Sequence, residues 1–167
     1  MVAETAISIE EYLNTSFEGP DREYLDGKVV ERSMPRYSHS EAQNNLCGWF
    51  YQRKWKLRLF GCPELRVQIS ANRVRVIDLA VYAGNKPEQQ IPSQPPFIAI
   101  EIVSPDDRHS EIIERLGEYH RWGVTHNWLV DPWIKTLSIY ADLALWRVPH
   151  FELPEYSLKI TPAEIFD

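Results

Sequence analysis

Two acidic residues stand where the surrounding chain is otherwise apolar. Asp78 lies within Val76-Ile77-Asp78-Leu79-Ala80-Val81, and Glu101 within Ile98-Ala99-Ile100-Glu101-Ile102-Val103. Each is the lone charge in a run that reads as buried strand. A carboxylate placed there without a partner costs several kcal/mol, so its pKa rises or a cation holds it. Two such acids on consecutive strands repel unless positive charge sits between them. A divalent metal with oxygen ligands meets both needs; Mg²⁺ is the default hard cation and Mn²⁺ its substitute. The same acids can instead be satisfied by arginine or by backbone N–H groups, and Arg66, Arg73 and Arg75 stand on nearby strands.

The densest basic cluster is Arg53, Lys54, Lys56 and Arg58 around Trp55, with Arg73 adding charge. These are the candidate nucleic-acid contacts, since lysine and arginine neutralise phosphate. At helical spacing 54 and 58 fall on one side and 53 and 56 on another, so they flank an apolar face. The solvated side of an amphipathic helix has the same pattern. Cys47 and Cys62 lack CxxC spacing and read as packing residues in a reducing compartment.

The elements that must position these residues follow from punctuation and period. Ser8 with Glu11 reads as a capping box opening a short helix through Leu13. Asp26-Gly27 between two short runs predicts a hairpin with strands near 22–25 and 28–32. Ser38 with Glu41 reads as a second capping box. Ala42, Leu46, Trp49, Phe50, Leu57 and Phe60 then recur at helical spacing, predicting a long helix over 39–60 that Gly61-Cys62-Pro63 stops. Strands are predicted over 64–70, 74–83 and 97–103, a helix over 109–121 closed by Gly123, a strand over 127–130, and a terminal hairpin over 136–140 and 143–148. The runs 74–83 and 97–103 are too uniformly apolar for half-solvated edges and should lie centrally, covered on both faces. The fold class expected is α/β, built on a central mixed sheet.

Composition bounds the rest. With 167 residues, 44% hydrophobic and 25% charged, the chain reads as one globular domain, 1–167, rather than a fibre, a disordered tail or a disulfide mini-protein. A net charge of −6 excludes an indiscriminate polycation and implies weak or steered DNA contact. No leader-like segment or membrane-spanning run is evident, so a cytoplasmic protein without membrane contact is expected. Six Trp, eight Tyr and six Phe exceed the needs of a core this size; with Trp133, Tyr140 and Trp146 near the C-terminus, they point to a homodimer through the terminal strands or the long helix.

Ile100-Glu101-Ile102-Val103-Ser104-Pro105, Tyr119, Gly123-Val124 and Trp128-Leu129-Val130-Asp131-Pro132, in that order, resemble a large bacterial family of putative restriction endonucleases, formerly a domain of unknown function. Glu23-Tyr24-Leu25-Asp26-Gly27, followed by Pro35 and His39, resembles its N-terminal pattern, and the resemblance spans about residues 8–148. It implies the PD-(D/E)XK nuclease fold, a restriction-endonuclease-like αβββαβ core, with the N-terminal and C-terminal β-hairpins as additions. It also implies a Mg²⁺-dependent endonuclease acting on DNA. Asp78 would take the aspartate of the first half-motif and Glu101 the acid of the second; both would hold metal, with the main-chain carbonyl of Ile102 as a further ligand. Glu31, and after it Glu23, could reach the metal, and His39 could contact phosphate or orient an acid.

The resemblance has two gaps. Ile77 stands in place of the proline, which only shapes backbone. Val103 stands two residues after Glu101, where the nuclease pattern has lysine. In the resembling family that lysine lies on the following helix, about fourteen residues after the acid, and Arg115 holds that place here. An arginine brings a permanent charge and a fork suited to phosphate, but it accepts no proton. Arg115 could instead pair with Glu111 or Glu118 on its own helix. Two further readings stay open: a non-catalytic nuclease-fold module binding nucleic acid or protein, and a metal-dependent hydrolase of small phosphate esters.

Overall fold

A computed structural model describes residues 7–167; Met1 to Ala6, most of the segment read for a leader, lie outside the described residues. The chain runs α1 (Ile9–Leu13), β1 (Arg22–Leu25), β2 (Lys28–Glu31), α2 (Tyr37–Leu57), β3 (Leu59–Ser70), β4 (Arg73–Ala83), β5 (Ile98–Ile102), α3 (His109–Trp122), β6 (His126–Asp131), β7 (Thr136–Ala141) and β8 (Ala144–Val148). After these come β9 (Phe151–Leu153), a 3₁₀ turn at Pro154–Tyr156, β10 (Leu158–Ile160) and α4 (Pro162–Phe166). The order α2-β3-β4-β5-α3-β6 is the αβββαβ core, with β1–β2 and β7–β8 as the two hairpins.

One sheet holds β2-β1-β4-β5-β6-β7-β8, with β3 on the other edge of β4. Among the described strands only β5 and β6 pair in parallel, as the α3 crossover between them requires. Every residue of β5 is buried, as is β4 from Val74 to Tyr82. One face of the sheet packs on α2, where Leu46, Trp49 and Phe50 meet Leu79, Val81, Ile100 and Trp128. The other packs on α3, where Ile112, Leu116 and Tyr119 meet Ile77, Ala99 and Leu129.

Two expectations need correction. The long helix stops at Leu57, because Arg58 turns left-handed (φ 54°) and its guanidinium donates to the Gly84 carbonyl at 2.9 and 2.7 Å. Phe60 and Gly61-Cys62-Pro63, read as helix and stop, belong to β3. That strand pairs only with β4, so an imide nitrogen is tolerated there. At the other end of α2 the N-cap is Arg36, and Ser38 Oγ caps nothing. The Ser8 cap does form, accepting the Glu11 N–H at 3.1 Å.

The C-terminal segment adds core the sequence reading left undescribed. Phe151, Leu153, Ile160 and Ile165 are fully buried against the α2 side, and Phe151 stacks on Trp128 at 4.2 Å, with an interplanar angle of 2°. Among the described residues no helix is long and apolar enough to cross a membrane. Cys47 and Cys62 are free and half-buried, and burial pushes both thiols up.

Candidate functional site

The site sits where the sheet splits. On one edge, β4 pairs with β3 along its length. On the other, β1 takes only Val74 and Arg73, and β5 takes only Leu79 to Val81. Between them, Arg75 to Asp78 have no strand partner on that edge, and side chains meet the backbone instead. Glu23 Oε1 accepts the Val76 N–H at 3.0 Å, and Gln43 Nε2 donates to the Asp78 carbonyl at 2.8 Å.

Three acids gather at this split. Asp78 and Glu101 stand just past the last β4–β5 pair, Leu79↔Ile100, at the point where the two strands part. On the other side Glu64 lies between the β3 pairs Pro63↔Leu79 and Leu65↔Ile77 without a pair of its own, its backbone left-handed at φ 48°. Like charges facing each other across strands destabilise a sheet unless neutralised. Two arginines neutralise them here. Arg32 Nη2 donates to Asp78 Oδ1 and its Nη1 to Glu64 at 2.6 Å. Arg115 Nη1 donates to Glu101 Oε2 at 2.8 Å, and Tyr119 Oη donates to Oε1 at 2.8 Å.

The two central carboxyls titrate apart. Asp78 is 1% exposed, and burial alone would raise its pKa. His39 and Arg32, with the Ile102 N–H donating at 2.7 Å, outweigh burial and hold it well below the usual carboxylate range. Burial pushes Glu101 up; Arg115 pulls against it, Asp78 adds to it, and the net is upward. His39 Nε2 lies 3.3 Å from Asp78 Oδ2. Burial opposes its charged form, but the Asp78 carboxylate prevails and raises its pKa.

Of the residues singled out from sequence, Asp78, Glu101, Ile102, His39 and Arg115 converge. Ile102 meets Asp78 through its N–H rather than its carbonyl. Arg115 turns to Glu101 and, at 4.0 Å, to Glu23; it does not pair with Glu111 or Glu118. Glu31 is exposed and pairs with Arg22 at 3.3 Å across the hairpin. Glu23 takes the inward position, 3% exposed, with Arg75 at 2.7 Å. The counterions are therefore Arg32 and Arg115, while Arg75 and Arg73 meet Glu118 from α3. An alternating string results: Asp26, Arg73, Glu118, Arg75, Glu23, Arg115, Glu101. Arg32, Glu64 and Glu118 escaped the sequence reading as members of the site. Glu31 was readable: a two-residue Asp26-Gly27 turn sets it opposite Arg22.

A cavity of about 670 Å³ opens onto this cluster, lined by His39, Asp78, Ile102 and Arg115 among others. Its wall also carries Asp21, Glu31, Glu64, Asp107, Glu111 and Glu114, so its mouth is acidic. Arg53, Lys54, Lys56 and Arg58 lie at the opposite end of α2; seventeen residues from His39 to Lys56, at roughly 1.5 Å each, is about 26 Å. Arg53 stacks over Trp49 at 4.1 Å and Lys54 over Tyr51 at 3.6 Å. Arg73 is absorbed by Asp26 and Glu118.

A divalent metal does not fit this arrangement. Both oxygens of Asp78 and both of Glu101 are engaged by guanidinium, imidazole, hydroxyl or amide groups. Among the described residues, no three Asp, Glu, His or Cys side chains are arranged to hold one.

A sequence model described as Uma2, putative restriction endonuclease, matches residues 9–162. A crystal structure described as a putative nuclease belonging to DUF820, from Anabaena variabilis, superposes with a TM-score of 0.81 at 22% identity, covering 96% of this chain and 97% of that one. No curated protein matches the chain.

Proposed function

The chain belongs to the Uma2 family of restriction-endonuclease-like proteins, and on that premise we propose that it is an endonuclease acting on DNA at the Asp78–Glu101 site. The observation that supports this reading is the pair of buried acids, Asp78 and Glu101, where β4 and β5 part, with Arg115 bonded to Glu101 and a solvent-open cavity lined by Asp78 and Arg115. Burial of two acids that hydrophobic residues could replace is costly, and such groups concentrate at functional sites. In this reading Asp78 and Glu101 address the phosphodiester and its attacking water. Arg115 lends charge to the phosphate, as a preorganised cation does when charge develops. His39 orients Asp78 rather than touching phosphate, since its Nε2 faces that carboxylate and its Nδ1 is buried without a partner.

Lys54 and Lys56, beside the exposed Trp55, give DNA a basic landing surface away from the acidic mouth. The free thiols fit a reducing, cytoplasmic setting, and exposed Trp146 on β8 offers a face for self-association. A second reading is favoured by one observation: every oxygen of Asp78 and Glu101 is already engaged within the chain. That saturation suits a nucleic-acid-binding module without cleavage.

Plasmid nicking with Mg²⁺ or Mn²⁺, on wild type and on Asp78→Ala/Glu101→Ala, tests the choice alongside DNA binding by fluorescence anisotropy. The endonuclease reading expects nicking that the double variant loses. Binding without nicking, at any metal concentration, establishes the module.

A further inference from the structure

We propose that the exposed C-terminal end of α2 binds single-stranded DNA, stacking bases on Tyr51 and Trp55 while Lys54, Lys56 and Lys86 hold the phosphates. The inference rests on the reading that this chain acts on DNA, and it names the form of DNA that this surface takes.

The sequence sorts its charge along α2. No acid stands between Glu41 and Glu64, whereas Arg53, Lys54, Lys56 and Arg58 fall close together near the end of the helix. In a chain of net charge −6, that leaves a positive helix end and an acidic cavity mouth. A polyanion is drawn to the first and repelled by the second. Lys86, in the loop after β4, joins the positive end: its ammonium lies 5.7 Å from the Trp55 ring and 5.4 Å from that of Phe60. Arg58 ties this loop to the helix end through the Gly84 carbonyl and Asn85 Oδ1.

The two rings are placed for stacking. Tyr51 is 68% exposed and Trp55 73% exposed, while Leu46, Trp49 and Phe50 supply the core-facing side of the helix. Four residues apart, the rings share one helix face and stand about 6 Å apart along its axis. Lys54 lies against both, its ammonium 3.6 Å from the Tyr51 centroid and 5.4 Å from that of Trp55. Phe60 meets Trp55 edge-to-face at 6.2 Å and 80°, which steadies the indole. Every base has a π-face, so such rings hold a strand without reading its sequence. A duplex cannot use them, because its bases already stack on one another at about 3.4 Å per step. A single strand can part its bases to the wider spacing, and the lysines then meet the phosphates beside them. The strand is DNA because the site it would feed is read as acting on DNA.

The test is fluorescence anisotropy with labelled oligothymidine of about 12 nucleotides, within the ~4–16 that single-strand sites cover. A duplex and an RNA strand of equal length run beside it. Wild type should bind the DNA strand more tightly than the duplex. Trp55→Ala and Tyr51→Ala should each weaken the strand at least about fivefold, the low end for a lost base stack, and change duplex binding less than about twofold. Should Trp55→Ala lose its fold, Tyr51→Ala carries the same expectation. Neutralising Lys54, Lys56 and Lys86 together to glutamine should reduce the slope of log affinity on log salt by about 2, at about 0.7 per phosphate contact on a single strand. Strand affinity unchanged by loss of the rings, an equal loss on the duplex, or preference for the RNA strand overturns the proposal. So does retention on anionic phosphatidylserine vesicles without oligonucleotide binding. Plasmid nicking in the same samples keeps the two readings apart. Ring-dependent strand binding without nicking sinks the endonuclease only; nicking with strand binding independent of the rings sinks this inference only.

Discussion

Replacing Glu118 by alanine should be among the most damaging single changes outside the apolar core. The side chain is 5% exposed. Its Oε2 accepts from Arg75 Nε at 2.8 Å and its Oε1 from Arg75 Nη2 at 3.0 Å, a forked pair, while Arg73 also bonds Oε1. Without the carboxylate, Arg75, itself 5% exposed, keeps Glu23 alone. Stranding one partner of a buried pair costs about 3–5 kcal/mol. Arg73 is more exposed and turns to Asp26, so its share stays under about 1 kcal/mol. A loss of about 4 kcal/mol is expected, and a domain of this size should then melt roughly 8–16 °C lower. Urea denaturation followed by tryptophan fluorescence measures it for wild type, Glu118→Ala, Arg75→Met and the double variant. Removing both charges strands fewer groups than removing one, so the double variant should be more stable than the sum of the singles by about 1–3 kcal/mol. A Glu118→Ala loss under about 1 kcal/mol, or an additive cycle, would refute the claim that these charges are coupled.

Four further outcomes are expected. Asp78 has a folded pKa below its unfolded value near ~3.9, so its stabilisation is present above that pH and lost as pH falls below it. His39 has the opposite sign: its contribution is full below about 6.5 and fades as pH rises through its higher folded pKa. Urea midpoints across pH, with Asp78→Asn flattening the acid limb, check the first, and imidazole NMR the second. Phe151→Ala should cost about 3–5 kcal/mol, because the ring lies flat on buried Trp128, and the near-UV circular dichroism of that indole should change. Tyr119→Phe removes the hydroxyl that donates to Glu101, so the carboxyl should titrate higher still, as carbon NMR of the side chain would show.

The core order was legible because it rests on apolar runs that no surface element would carry, and on Asp78 and Glu101 interrupting them. Gly123 ends α3 at φ 109°, a conformation that other residues resist. What sequence obscured lay in long-range partners. Phe60 continues the helical spacing, so only Arg58 reaching across to Gly84 reveals that the helix has already ended. The cluster of acids was half visible: Glu64 follows Pro63 in a run that reads as a breaker, and its meeting with Asp78 through Arg32 depends on β3 beginning early. Arg32 carries no local signal, because it follows a strand of no special pattern and bonds residues 32 and 46 positions away. Arg115 was placed by resemblance, but its contacts with Glu101 and Glu23 rather than its helical neighbours come from how α3 meets the split in the sheet.

The alternating string from Asp26 to Glu101 also constrains how the lineage can drift. Neutralising any inner member strands a charge on either side, so a tolerated substitution arrives with its compensation or not at all. Arg115 shows this most sharply. Its fork bonds Glu101 and approaches Glu23, whereas the compact ammonium of a lysine concentrates its charge on one neighbour. The choice between arginine and lysine at 115 is thus heritable only together with the residues at 23 and 75, and these positions should change as a linked set among descendants of a common ancestor.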